Sequence, residues 1–258
     1  MSASPVSAPT DLAAAAPARE TSRAPTVAPG KRTPRFFRAT FYKEWIKLRL
    51  SWALLLAGSS GFAAFLSLRL RSVHQFHDAV SIWDAWIFKS YLFFEPYEYF
   101  PLGAGVVLGA LQYLPETLNK RVRLVLHLPL NEEHVISHHL LAGLLLLTLI
   151  YLPALVFFTA TAWVYFPVEF QQNLALTLAP WLLGGYAGYF LTATLLLETT
   201  WRHRVFYLLL GGGALRLFYL GDFYDVYRRV LPVLAVWAAA LFVLPLFSSL
   251  RFRKGIDS

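Results

Sequence analysis

The stretch PETLNKRVRLVLHLPLNEEHVISHHLLAGLLLLTLIYLP, residues 115–153, sets two kinds of helix side by side. From His138 onward it is a continuous apolar run, and about 20 such residues cross the ~30 Å hydrocarbon layer of a bilayer. Before that, residues 116–130 alternate with helical period. Leu118, Val122, Val125, Leu126 and Pro129 share one face, and Asn119, Lys120, Arg123 and His127 share the other. A tight turn would join two spans with fewer ordered residues. An amphipathic helix half-sunk in the interface can in addition dock a partner from the aqueous side.

The rest of the chain agrees with a membrane setting. Of its 258 residues 57% are hydrophobic and 15% charged, with a mean hydropathy of +0.50. That leaves too little polar surface for a soluble domain of this size. The apolar runs are continuous rather than alternating, which argues against a β-barrel. The expected class is therefore an all-α polytopic membrane protein. No cysteine is present, so thiolate metal sites, disulfides and cysteine nucleophiles are excluded. No G-x-x-x-x-G-K-[ST] motif appears, so no P-loop ATPase site is encoded. The net charge of +8 is read from its placement on the loops, not as a nucleic-acid signal.

Three regions follow. Residues 1–34 hold nine Ala and six Pro among Ser, Thr and Arg, the composition of a disordered tail. The tail has no apolar h-region of a secretory signal; an organellar transit peptide is its rival reading. Residues 35–250 form the membrane domain, and 251–258 a basic C-terminus. The membrane domain opens on an aromatic stripe, Phe37, Phe41, Trp45 and Leu48, flanked by Arg38, Lys43 and Lys47, which predicts a helix lying in the interface. Six transmembrane helices are expected, at 52–70, 99–114, 138–166, 174–197, 205–220 and 230–250. The fifth is interrupted by Gly211-Gly212-Gly213 and is expected to return partly re-entrant.

Lys and Arg fix the orientation. Fifteen of them fall at 31–49, in the second-to-third and fourth-to-fifth loops and at the C-terminus; five, Arg69, Arg71, Lys89, Arg228 and Arg229, fall on the opposite side. Both termini are therefore expected in the cytosol, and residues 116–130 with them.

Two segments resemble a known family. PETLNKRVRLVLHLPLNEEHVISHHLLAG is similar to the region between the second and third spans of type-2 ABC exporter permeases, in which a Glu opens a short coupling helix. A Leu-rich stretch then reaches a Leu-Pro-hydrophobic turn before the third span. Glu116, Leu124-Val125-Leu126, Leu128-Pro129-Leu130 and His134–Leu141 stand at the matching positions. FYKEWIKLRLSWALLLAG resembles the interfacial helix before the family's first span. Arg121-Val122 and His138-His139 depart from the pairs usual there. The resemblance covers about residues 35–250. It implies a permease subunit of an ATP-driven exporter in a bacterial inner (plasma) membrane. A separate cytosolic ATPase would bind the coupling helix through Glu116, Arg121, Arg123, Val125, Leu126, Leu128 and Pro129, and would carry the ATP and Mg. A second permease chain, identical or related, would complete the path. No catalytic residue, metal site or cofactor is expected in this chain, and membrane lipid is its other partner.

Rival readings rest on other residues. His134, His138 and His139 suggest a haem or metal site, hence a b-type cytochrome or a membrane enzyme. The remaining His lie at loops or span ends, and the plainer reading is histidine at the lipid interface. His74, His77 and Asp78 form an outer cluster read as solvated. Glu198 and Arg202, four apart, read as a helical ion pair. Gly105-x-x-x-Gly109 and Gly184-x-x-x-Gly188 read as close-packing motifs, within one chain or between two. Arg216 stands near the outer end of the fifth span, within reach of the interface by snorkelling. The run WDAWIFKSYLFFEPYEYF reads as an outer interfacial helix or as the aromatic lining of a lateral exit. A non-transporting assembly factor is the last alternative.

Overall fold

The computed structural model describes residues 33–76, 92–118, 132–166, 168–221 and 226–254. The described chain is all helical, without a strand among the described residues. The helices are α1 (Thr33–Phe76), α2 (Phe100–Leu118), α3 (Glu132–Tyr165), α4 (Val168–Leu197), α5 (Trp201–Leu215), α6 (Leu231–Leu241) and α7 (Val243–Lys254), with 3-10 turns at Glu95–Tyr97 and Arg216–Tyr219.

α1 merges two expected elements. The interfacial helix and the first span are one helix of 44 residues, about 66 Å long at 1.5 Å per residue. Residues 35–76 contain no proline to stop it, and Pro34 occupies the first turn, where a missing N–H costs nothing. The aromatic stripe of α1 also faces inward. Leu48 is buried, and Phe41 and Trp45 pack partly buried on the same core. The faces turned outward carry Tyr42, Ile46, Leu50 and Leu54 instead.

Four helical stretches are long and apolar enough to cross a membrane: Arg38–Ser72, Val135–Tyr165, Asn173–Leu197 and Leu231–Ser248. The expected second and fifth crossings are not among them. α2 carries Gln112 and Glu116 in its last two turns, and α5, at 15 residues, falls short of the ~20 a crossing needs. The fourth stretch combines α6 and α7 across Phe242. Pro245 cannot donate to the carbonyl of Leu241, which loosens the helix there.

α1 and α3 run in one direction, and α2 and α4 in the other. The last turns of α1 and α3 meet the first turns of α4 in one core cluster: Ala63, Leu66 and Leu70 with Ala154, Phe158 and Phe166, and with Leu174, Leu178 and Trp181. Leu92, Phe93, Phe94 and Tyr97 fill the same core. These residues of the aromatic run are buried rather than laid on an outer interface, because their side chains supply the volume between three helices. α2 and α4 touch most closely. A Cβ on Gly105 would collide with the carbonyl oxygen of Gly185, and one on Gly109 would stand 3.2 Å from that of Tyr189. The small-residue motifs therefore pack within the chain.

Candidate functional site

The sequence places one acid, Glu44, among the seven basic residues of 31–49. The fold explains it. Glu44 is fully buried, against α2 and α3, and a buried carboxylate survives only with a partner. Lys47, one turn on, supplies it: its Nζ lies 3.1 Å from Oε1 and 2.9 Å from Oε2 of Glu44. The first contact is a hydrogen bond. The second is off-angle for one, so Oε2 is held by charge alone. Lys47 Nζ also donates to the Gln112 carbonyl at 2.9 Å and to Oε1 of Glu116 at 3.2 Å. Lys43 reaches the same Glu116 oxygen at 3.0 Å.

The network continues onto α3 and α4. His139 Nδ1 of α3 stands 3.2 Å from Glu44 Oε1. The Gln112 side chain donates from Nε2 to the His139 carbonyl at 2.9 Å, and its Oε1 accepts from Tyr189 of α4 at 2.8 Å. Space for this is made by Gly143. A Cβ there would collide with the Tyr189 hydroxyl and the Gln112 amide oxygen. Four helices are thus tied at one level by two carboxylates, two ammonium groups, an imidazole, an amide and a phenol. Burial by itself would raise the Glu116 carboxyl, but the Lys43 hydrogen bond and the charges of Lys47 and Lys43 outweigh it and hold it below the usual carboxylate range.

A third buried acid sits at the same end. Glu198 is 1% exposed. Its Oε2 accepts from Ser248 of α7 at 3.0 Å, and its Oε1 lies 3.7 Å from His203 Nδ1. The expected Glu198–Arg202 helical pair does not form. α4 ends at Leu197 and α5 starts at Trp201, so the two residues share no helix. Arg202 is exposed, and it is Arg204 that donates, from Nε, to the Glu198 main-chain carbonyl at 2.7 Å.

The predicted site residues are placed unevenly. Glu116 lies in the last turn of α2, 7% exposed and ion-paired. Arg121, Arg123, Val125, Leu126, Leu128 and Pro129 lie outside the described residues, as do His77 and Asp78 and the side chains of Phe37, His74 and His134. His139, read from sequence as facing lipid, faces Glu44 instead, because α1 presents a buried carboxylate to that side of α3. Among the described residues no group of three His, Asp or Glu is close enough to hold a metal ion. Sequence alone does not single out Glu44, Gln112 or Gly143, and it marks Lys47 only as a basic flank of the aromatic stripe. The isolated acid in a basic helix, and Gln112 and Glu116 one turn apart in an apolar one, were the available signals.

Compared with known proteins, the chain matches no family model, no curated protein and no solved structure.

Proposed function

We propose that the chain is the membrane-spanning subunit of an ATP-driven exporter of the type-2 ABC kind. In this reading six segments enter the membrane, both termini face the cytosol, and a separate cytosolic ATPase supplies ATP hydrolysis. A second permease chain completes the path.

One observation carries the reading. Glu116 is the residue at which the coupling resemblance begins, and Lys43 and Lys47 clamp it to α1. A partner docking on 119–131 pulls first on the end of α2. That pull passes through two ammonium groups to a rod of 44 residues, and through Gln112 to α3 and α4. A solvated connector would need no such anchor at its root.

The test is co-expression with each ABC ATPase subunit encoded in the same genome, followed by co-purification and ATP turnover of any complex. Leu126→Asp should abolish both, since an apolar contact would acquire an unpaired charge. Arg123→Ala should weaken docking less, with a changed salt dependence. Wild-type association and turnover in Leu126→Asp would reduce 116–130 to a connector and remove the case for a permease.

A further inference from the structure

The turn between α5 and α6 is built around one hydroxyl. Tyr227 accepts the backbone N–H of Leu220 at 2.6 Å and of Gly221 at 2.8 Å, and donates to the Leu217 carbonyl at 3.2 Å. Gly221 permits this approach; a Cβ there would stand 2.7 Å from the Tyr227 ring. The turn so fixed walls an apolar pocket of about 420 Å³, lined among others by Leu217, Tyr227, Val230, Val233, Leu234 and Trp237. Its volume is that of a small-ligand site. The lining of the pocket offers an occupant almost nothing but carbon.

Two arginines adjoin this lining along the chain: Arg216 precedes Leu217 and Arg229 precedes Val230, and both are exposed. Over 216–230 the sequence sets three Arg against two Asp, Asp222 and Asp225, which lie outside the described residues. Val233 and Trp237, on the outward side of α6, are exposed at the mouth, and the Leu231–Ser248 stretch to which they belong has only 22% of its residues buried. In a bilayer that side meets lipid. An apolar pocket opening to lipid, with two exposed arginines next in the chain to its lining residues, matches a molecule with a hydrocarbon tail and a phosphate head. Arginine binds phosphate through paired N–H groups.

We propose that this pocket holds one acyl chain of an anionic phospholipid, with the phosphate against Arg216 and Arg229. The proposal requires only a membrane, and stands whether or not an ATPase partners the chain. The full-length protein, purified in detergent, is titrated with phosphatidylglycerol or with phosphatidylcholine of the same acyl chains, and the retained lipid is read by native mass spectrometry. Phosphatidylglycerol should be held about tenfold more tightly. Arg216→Gln combined with Arg229→Gln should remove that preference and leave the phosphatidylcholine level unchanged. Val233→Trp, which fills the mouth, should lower retention of both lipids, whereas Leu54→Trp on the exposed face of α1 should lower neither. Equal retention of the two lipids by wild type, or an undiminished preference in the double arginine variant, would overturn the proposal. So would a dimer that Val233→Trp dissociates with lipid retention unchanged, because the occupant would then be a second copy. If Val233→Trp fails to fold, the arginine pair decides alone, since neither residue belongs to a core.

Discussion

The two ends of the bundle are held by different physics. At one end Lys43, Glu44, Lys47, Glu116 and His139 join α1, α2 and α3 through contacts of 2.9–3.2 Å. At the other, Phe93, Phe94, Tyr97, Phe158 and Trp181 interlock, with ring centroids 5.0–5.9 Å apart. Ring packing is only weakly directional, and aromatic pairs tolerate many tilts. Buried charge does not tolerate displacement: each carboxylate needs an ammonium within reach, at one register. The ionic end therefore sets how the helices sit, while the aromatic end supplies bulk cohesion where lipid offers no hydrophobic drive between helices. On the permease reading, a device that transmits motion belongs at the end where arrangements are discrete, which is the end of α2 that leads into the proposed coupling segment.

The sharpest way to break this contrast is Lys47→Met. One ammonium serves both buried carboxylates, so its loss leaves Glu44 facing His139 alone and Glu116 facing Lys43 alone. Removing one partner of a buried pair costs about 3–5 kcal/mol. Reversible unfolding of the purified protein in mixed micelles should show a loss of that order. A loss below ~1 kcal/mol would mean that water reaches both carboxylates, and the proposed rigidity of this end would fall.

Gly143→Ala probes the same end without touching a charge. The added methyl meets two buried polar atoms that cannot both retreat, the Tyr189 hydroxyl and the Gln112 amide oxygen. Overpacking of this kind costs about 1–3 kcal/mol. Gly212→Ala is the control. A Cβ there meets no atom within 4 Å among the described residues, so the higher helix propensity of alanine should leave the protein unchanged or slightly more stable, by at most ~1 kcal/mol. Equal losses from both substitutions would assign the effect to helix bending rather than to the network.

Much of the architecture was readable in advance, and the limits were specific. Continuous apolar runs announce helices, so the four long stretches and the all-helical class follow from hydropathy. The crossings expected at 99–114 and 205–220 are not among these four stretches: Gln112 and Glu116 lower the hydropathy of α2, and α5 is only 15 residues long. The direction in which a side chain faces was the larger gap. The stripe Phe41, Trp45 and Leu48 has the composition of an interfacial face, yet it points into the bundle, and His139 with it. Inside a membrane both lipid and protein interior are apolar, so composition does not separate the two faces of a helix. Polar residues do: Glu44, Gln112 and Glu116 mark the inward side because hydrocarbon would leave them without partners. The aromatic run held the same ambiguity, and Leu92, Phe93, Phe94 and Tyr97 of it lie in the core.

Tyr97→Phe sharpens the contrast from the aromatic end. The ring stays packed against Phe100 and Phe158 at centroid distances of 5.1 and 5.2 Å. Only the 2.8 Å hydrogen bond to Ser59 is lost. The expected cost is about 1 kcal/mol, with no dependence on salt. A larger loss would show that this end too is ordered by polar contacts.

The smallest effect is expected from Lys43→Gln, and its sign can be worked out. Glu116 has its folded pKa lowered, in part by Lys43. A carboxyl of this kind contributes stability above its unfolded pKa of about 4.3, and that contribution is lost as pH falls through the lower, folded value. Removing Lys43 lets the folded pKa climb back toward the ordinary value while Lys47 still holds it. At neutral pH the variant should be less stable by no more than ~1 kcal/mol, since the Lys43 side chain is 47% exposed and solvent screens the pair. The deficit should shrink as pH falls through the region of the two folded values and vanish once Glu116 is protonated in both proteins. Added salt at neutral pH should shrink it as well. Glu44 titrates in both proteins, so the difference between the two stability curves isolates Glu116. A deficit that stays constant down to strong acid would show that Lys43 contributes through its methylene stem against α2, and not through its charge.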